Sequence, residues 1–332
     1  MMTQPVRPTL LLPDGDGGFW FMRTALLLIG FNRVDLFGQT LSSLEANKAA
    51  HEYDVHVYLD GGPDARQDDI AARVEASKFA NITVVRRESH WGMGRHLIDA
   101  RRQLFDEQGY DRVMLFEDDM ILASHYVETL SNMLDWASEF KDVGTVMAHN
   151  INPDPMNAQA NQLSDIVATN RRFWGSGMTK SVWDDIKPIL YDYEDRYLKG
   201  VPYGKRAHRG IRRKTIRKIM KRSRADRAGI ALIPEALLTP PFAKRPGKCP
   251  TGHDAITALA LWHRGYARIT TRVSRARYLG ETGTTFTPEV FKSMGYKEQN
   301  VPDFSSLSAA PTVFRLADEG LNGDLLKPTP FE

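Results

Sequence analysis

The sequence predicts an α/β fold: a mostly parallel sheet flanked by helices, followed by a less regular second half. Three observations predict it. Short apolar runs alternate with helix-spaced apolar residues from Thr24 to about Met147, the pattern of strands joined by crossover helices. The first run, Ala25 to Ile29, is continuously apolar, as a strand buried on both faces must be. The 332 residues are 42% hydrophobic and 26% charged, which allows a large core and excludes collagen-like, mucin-like and wholly disordered chains.

The elements follow in order. Residues 1–22 form a lead-in with turn signals at Asp14-Gly15 and Asp16-Gly17. Residues 23–150 form the first half. The strand over Ala25–Ile29 precedes a helix marked by Leu36, Leu41 and Leu44. Val55–Leu59 is the second strand, and Ile70 with Val74 marks the second helix. Ile82–Val85 and Val113–Phe116 are the third and fourth strands, separated by a helix over Leu97–Phe105. A helix over His125–Phe140 and a fifth strand over Val143–Met147 complete this half.

The second half, 151–302, opens with an Asn-, Pro- and Gln-rich loop. A short helix is expected over Lys180–Leu190. Another covers Ile256–His263, opened by Asp254 and closed by Gly265. Residues 303–332 read as a turn-rich tail.

Composition narrows the function. No stretch approaches the roughly 18 apolar residues of a spanning helix, and no signal-peptide pattern opens the chain. Cys249 is the single cysteine, so an internal disulfide and a cysteine-rich zinc site are both excluded. These features suit a cytoplasmic protein. Net charge is +3, but residues 205–227 hold 12 of the 44 bases and one of the 41 acids, Asp226. The rest then carries 32 bases against 40 acids. Within this segment Ile211, Thr215, Ile216, Ile219 and Met220 fall near helical spacing, and Arg212, Arg213, Arg217 and Lys218 belong to the cationic face. Such a helix suits nucleic-acid phosphates or an anionic membrane surface. A solvated arm is the plain alternative.

The candidate site gathers at the carboxyl ends of the strands, where α/β sheets bind ligands. Glu117-Asp118-Asp119 ends the fourth strand. Three adjacent carboxylates repel one another, and at a sheet rim they suit a hard cation such as Mg or Mn. Strand alternation would put Glu117 and Asp119 on one side and Asp118 on the other. A solvated acidic turn is the alternative. Asn32-Arg33 follows the first strand and Asp60-Gly61 the second. Arg95 follows two glycines at the start of the third helix, where an anionic ligand is favoured.

This order of motifs resembles GT-A glycosyltransferases, most closely the N-acetylglucosaminyltransferase I family. The resemblance spans roughly residues 24–290. It implies a nucleotide-sugar-binding half, an acceptor half with the basic segment inserted, and transfer of a sugar to an acceptor hydroxyl with inversion. UDP-sugars are the favoured donors and Mn or Mg the metal. Asp119 would be the metal ligand. Glu117 and Asp118 would meet the ribose or donor sugar, and Asp60, with Arg33 nearby, the base.

In the second half Phe173-Trp174-Gly175-Ser176-Gly177-Met178 is similar to the family's aromatic-glycine loop below the donor sugar, with a packed turn as the alternative. Asp254 stands where the family places its catalytic base, although an Asp at a helix start is also an ordinary cap. Arg275 and Thr282 lie in a segment similar to the one that closes over the diphosphate. The sequence departs from the family in three ways. It shows no anchor and stem. Tyr278 or Leu279 stands where many GT-A enzymes carry a metal-binding His. The basic segment has no counterpart, and it suggests a polyanionic acceptor, for which DNA with hydroxymethylated bases of the phage type is one candidate. Two other classes remain open from the residues: a nucleotidyltransferase using the same acidic cluster, and a non-catalytic nucleic-acid-binding protein.

Overall fold

The computed structural model describes residues 11–13, 19–170, 173–201, 219, 223, 227–241, 252–281, 287–293, 295–297, 301–304, 307 and 309–317. Arg212, Arg213, Arg217, Lys218 and Thr282 lie outside the described residues. Within the basic segment the described Ile219 is helical and buried.

The expected alternation is present. Strands β1 (Leu11–Pro13) and β2 (Phe19–Phe21) form a small hairpin ahead of β3 (Thr24–Gly30). Then come α1 (Val34–Glu45), β4 (Asp54–Leu59), α2 (Gln67–Glu75), β5 (Ile82–Arg86), α3 (Gly92–Arg102) and β6 (Arg112–Phe116). After β6 the chain makes β7 (Met120–Leu122), α4 (Tyr126–Ala137) and β8 (Val143–Met147). The second half contributes α5 (Met156–Gln159), β9 (Asp165–Ala168), β10 (Ser176–Thr179), α6 (Lys180–Tyr197), α7 (His253–Arg264), β11 (Ala267–Thr271), β12 (Ala276–Tyr278), α8 (Pro288–Ser293) and β13 (Arg315–Leu316).

Nine strands form one sheet in the order β13-β9-β11-β8-β10-β6-β3-β4-β5. β3, β4, β5 and β6 are mutually parallel, and β8 is parallel to β11. β10 runs antiparallel between β6 and β8, and β9 antiparallel to β11.

The period-2 alternation of β3 divides the core. Leu26 and Leu28 pack with Phe37 and Leu41 of α1 and Leu130 of α4 on one face. Ala25, Leu27 and Ile29 pack with Leu97 of α3, Trp183 and Ile186 of α6 and Leu259 of α7 on the other. All seven β3 residues are buried, as its unbroken apolar run requires.

The order β4-β3-β6 places the reversal of winding between β3 and β6. α1 leaves toward one face and α3 lies on the other. β3 and β6 are adjacent and parallel, so the acidic triplet that follows β6 falls beside the loop that follows β3, at the carboxyl ends of both strands.

Two spans differ from the sequence expectation. α6 continues past Leu190, through Pro188, to Tyr197. Its last turns bury Tyr193 and Glu194, and Glu194 forms an ion pair with Arg102 across the interface with α3. Ser176–Thr179, which the sequence presents as loop, is a central strand. It packs so tightly that a Cβ on Gly177 would come within 2.9 Å of Leu134.

Candidate functional site

Strand β6 ends at Phe116, and Asp118 and Asp119 lie in the turn that leads to β7. The alternation expected from a continued strand is therefore broken. Asp118 and Asp119 both turn to Arg33, while Glu117 faces the field of Asp254. Arg33 follows β3 and donates from Nε to Asp118 Oδ2 at 3.2 Å. It also pairs with Asp118 through Nη2 and with Asp119 Oδ2 through Nη1 at 2.8 Å. Arg33 thus pairs with two members of the acidic triplet.

One guanidinium cannot neutralise three carboxyls. Burial pushes the Asp118 carboxyl up to about 6, against the pull of Arg33. Burial also raises Asp119, opposed by Arg33 and by a hydrogen bond from the Tyr278 phenol. Glu117 rises furthest: burial comes first, then the charges of Asp254, Asp119 and Asp118. For Arg33 itself burial works downward, but the two carboxylates prevail and its pKa is raised.

The surroundings fix this turn from two sides. From α1, Thr40 Oγ1 accepts the Met120 N–H at 3.0 Å and Ser43 Oγ accepts the Leu122 N–H at 3.1 Å. From β12, which pairs with β7, the Leu279 N–H donates to the Asp119 carbonyl at 2.8 Å. A Cβ on Gly280 would stand 2.7 Å from Asp119 Oδ2, so only glycine allows this approach. Tyr278, at the position where a metal-binding His was looked for, instead supplies a phenol to Asp119. Trp174 stacks on Tyr278 with ring centroids 4.1 Å apart and 11° between planes.

Asp119 is 2% exposed, and its Oδ1 has no hydrogen-bond partner among the described residues. A buried carboxylate oxygen without a donor is costly, and a hard cation is the natural partner for it. Among the described residues no three Asp, Glu, His or Cys side chains converge on one point. The donor set therefore fits Mg or Mn held through one carboxylate, with substrate phosphates and water completing the shell.

Asp60 is also buried, but its oxygens are engaged. Oδ1 accepts N–H groups from Gly61 at 2.9 Å and Trp91 at 2.8 Å, and Oδ2 accepts from Gly92 at 2.8 Å. His90 Nδ1 lies 2.9 Å from Oδ2. Asp60 thus closes the β4 loop onto the start of α3. Gly61 is required there because any Cβ would collide with the Arg87 carbonyl. Asn32 is exposed at the carboxyl end of β3. Arg95 stacks its guanidinium 3.7 Å from the Trp91 ring centroid, and Arg87 covers the same ring at 4.3 Å.

Two second-half residues sit differently from the sequence reading. Arg275 is 1% exposed and donates to the Leu163 and Ala309 carbonyls at 3.3 and 3.4 Å. It ties the residue before β12 to two neighbouring segments. Trp174 is buried under Tyr278, and the Gly175 carbonyl accepts the Tyr126 hydroxyl at 2.8 Å. Their loop supports the site from below through Tyr278.

Asp254 lies in the first turn of α7, whose N-cap is Gly252, so it is not itself the N-cap residue. Its side chain is 55% exposed, although protein charges crowd around it. Burial works to raise its pKa, but His253, Arg101 and Arg268 prevail and hold the carboxyl below its ordinary value. The structure thus sets a raised Glu117 against a lowered Asp254. The sequence reading missed Tyr278 as a partner of Asp119, and Arg101 and His253 as neighbours of Asp254. A Tyr two residues before a Gly gave no signal by itself.

No protein-family model matches the chain, and no curated protein matches it. Solved structures do. The mannosyltransferase PcManGT from Pyrobaculum calidifontis, in complex with GDP-Man and Mn2+, is 18% identical at a TM-score of 0.36, over 59% of this chain and 51% of its own. S. aureus TarS 1-349 is 11% identical at 0.36, over 55% and 52%. TarS 1-349 in complex with UDP is 16% identical at 0.34, over 49% and 48%. The chain spans about half the length of these structures, and it is to these that it is similar.

Proposed function

We propose that the protein is a GT-A type glycosyltransferase that moves a sugar from a nucleotide sugar to an acceptor hydroxyl. The observation that carries this reading is the acidic turn after β6, in which Asp119 keeps a buried carboxylate oxygen without a donor among the described residues and Glu117 stands in the field of the exposed Asp254. Asp119 would hold Mn or Mg, and the cation would stabilise the diphosphate as it leaves. Asp254 takes the proton of the attacking hydroxyl. Its pKa is held down by His253, Arg101 and Arg268, which favours the ionised form a base needs, while burial and neighbouring carboxylates push Glu117 the other way. Two carboxyls driven apart in this way are characteristic of acid–base sites. A base that faces the anomeric carbon opposite the leaving group gives inversion. UDP-sugars are the first donors to try. A polyanionic acceptor such as modified DNA is supported by the charge of residues 205–227 alone.

The test is thermal shift against a panel of nucleotide sugars with and without Mn. One nucleotide should stabilise the wild type only when Mn is present, and Asp119→Asn should lose that response while remaining folded. An Asp119→Asn variant that keeps the Mn-dependent shift would overturn the metal assignment. Release of pyrophosphate from a nucleoside triphosphate, with no turnover of any nucleotide sugar, would replace the transferase reading with a nucleotidyltransferase.

A further inference from the structure

Beneath Asp254 lies a guanidinium that the reaction as described does not use. Arg101, in the last turn of α3, is 2% exposed. Among the described residues no carboxylate lies within ion-pair distance of it, in contrast to Arg102 beside it, which pairs with Asp99 and Glu194. Burying a charge without an acid partner is costly. Burial lowers the Arg101 pKa to about 10, with Asp254 and Glu117 opposing, so the side chain stays charged at neutral pH.

Its position shows where that charge is directed. Arg101 Nη1 stands 3.3 Å from His253 Nε2. A guanidinium can only donate, so Nε2 must be the bare nitrogen of a neutral ring. The ring proton is then on Nδ1, which lies 3.4 Å from Asp254 Oδ1 and donates to it. Thr257 Oγ1, one turn along α7, lies 3.5 Å from the same Nε2. Burial lowers the His253 pKa, and Arg101 adds to that effect while Asp254 opposes it. The other charged groups around Asp254 are Glu117 after β6 and Arg268 of β11. Glu194 of α6 is taken by Arg102, with Arg95 3.9 Å away.

We propose that Arg101 is a positioning residue that acts through His253, fixing the ring as the neutral Nδ1–H tautomer so that the ring orients Asp254 and keeps it ionised. This rests on the reading of Asp254 as the base. A guanidinium touching Asp254 directly would occupy the oxygen that must accept the proton. The intervening ring holds one carboxylate oxygen and leaves the rest open to solvent. The positive charge acts from the layer behind.

The experiment uses the full chain labelled with 15N-histidine. In the wild type the His253 ring should show a protonated Nδ1 and a bare Nε2, and should gain its second proton only at a lower pH than an ordinary histidine. In Arg101→Met the ring should lose that fixed tautomer and titrate higher. With the donor and acceptor in hand, kcat should fall about 10- to 100-fold, as when outer-layer partners are removed elsewhere. KM for the donor should hold, and the acid limb of the kcat profile should move to higher pH. Arg101→Lys should restore part of the loss. His253→Gln, which removes the ring but leaves Arg101 in place, should move the acid limb in the same direction and serves if Arg101→Met does not fold. An Nε2–H tautomer in the wild type overturns the proposal without any variant. If Asp254→Asn abolishes turnover while Arg101→Met leaves the spectrum and the acid limb unchanged, the positioning role fails and the base stands. If Asp254→Asn keeps full turnover, the reading of the base fails, and this proposal with it.

Discussion

At Asp254, charge and packing are separable. The carboxylate is more than half exposed and is not the N-cap of its helix, so Asp254→Asn removes little that folding uses. Thermal stability and Mn-dependent donor binding should be unchanged, while turnover falls about a hundredfold or more, as for loss of a general base. Scanning fluorimetry beside a turnover assay checks both. A fall in stability with turnover retained would make Asp254 a structural residue. The sequence could bring Asp254 into view but could not separate a cap from a base. That distinction depends on where α7 begins, and the structure begins it at His253 after a Gly252 cap.

At the scale of elements, the acidic turn depends on α1 and α4 as much as on its own strand. Asn47, at the end of α1, is fully buried. Its Oδ1 accepts the Val127 N–H at 3.0 Å and its Nδ2 donates to the Ser43 carbonyl at 2.8 Å. Asn47→Ala strands a buried donor of α4 and should cost about 2–3 kcal/mol, read from urea midpoints. It should also weaken the Mn response, because Ser43 and Thr40 on the same helix hold β7. A variant as stable as wild type would show that water replaces the amide. The parallel strands β3, β4, β5 and β6 were legible in the sequence because a strand buried on both faces needs a continuous apolar run. β10 was not. Ser-Gly-Met-Thr carries no such run, and its place depends on Gly177 fitting against Leu134 from a distant helix. The end of α6 was hidden for a similar reason: Glu194 looks like a surface residue until Arg102 is brought against it. The acidic triplet and Arg33 were each legible, but their pairing was not, because it depends on a strand ending one residue before the triplet.

For the whole molecule, acid stability reflects two opposed groups of residues. Burial lowers the pKa of His56 and His96, so both are neutral in the folded chain. Their contribution is present above the unfolded value of about 6.5 and is lost as pH falls, because the unfolded chain then binds protons that the fold refuses. The acidic triplet works the other way. Its raised pKa values, Asp118 at about 6 among them, give stability that is present at low pH and lost as pH rises. Comparison of wild type with His56→Gln isolates the first contribution. The variant should lose less stability than wild type between pH 7.5 and 5.5, measured by urea unfolding at each pH. Equal losses would mean that His56 is protonated in the fold.

The antiparallel insertion of β10 also determines how the gene can be divided. β8 is the last strand before residue 150, yet both of its neighbours, β10 and β11, are encoded after it. β6 likewise gains β10 from the later half. A fragment of residues 23–150 would therefore leave β8, buried at every position in the intact protein, without a partner and β6 with one open edge, and an open strand edge of this kind recruits other chains. Expressed alone it should aggregate. Co-expressed with residues 151–332 it should be recovered as a soluble complementing pair. A soluble, monomeric fragment with native circular dichroism would show that the first half completes its sheet without the second.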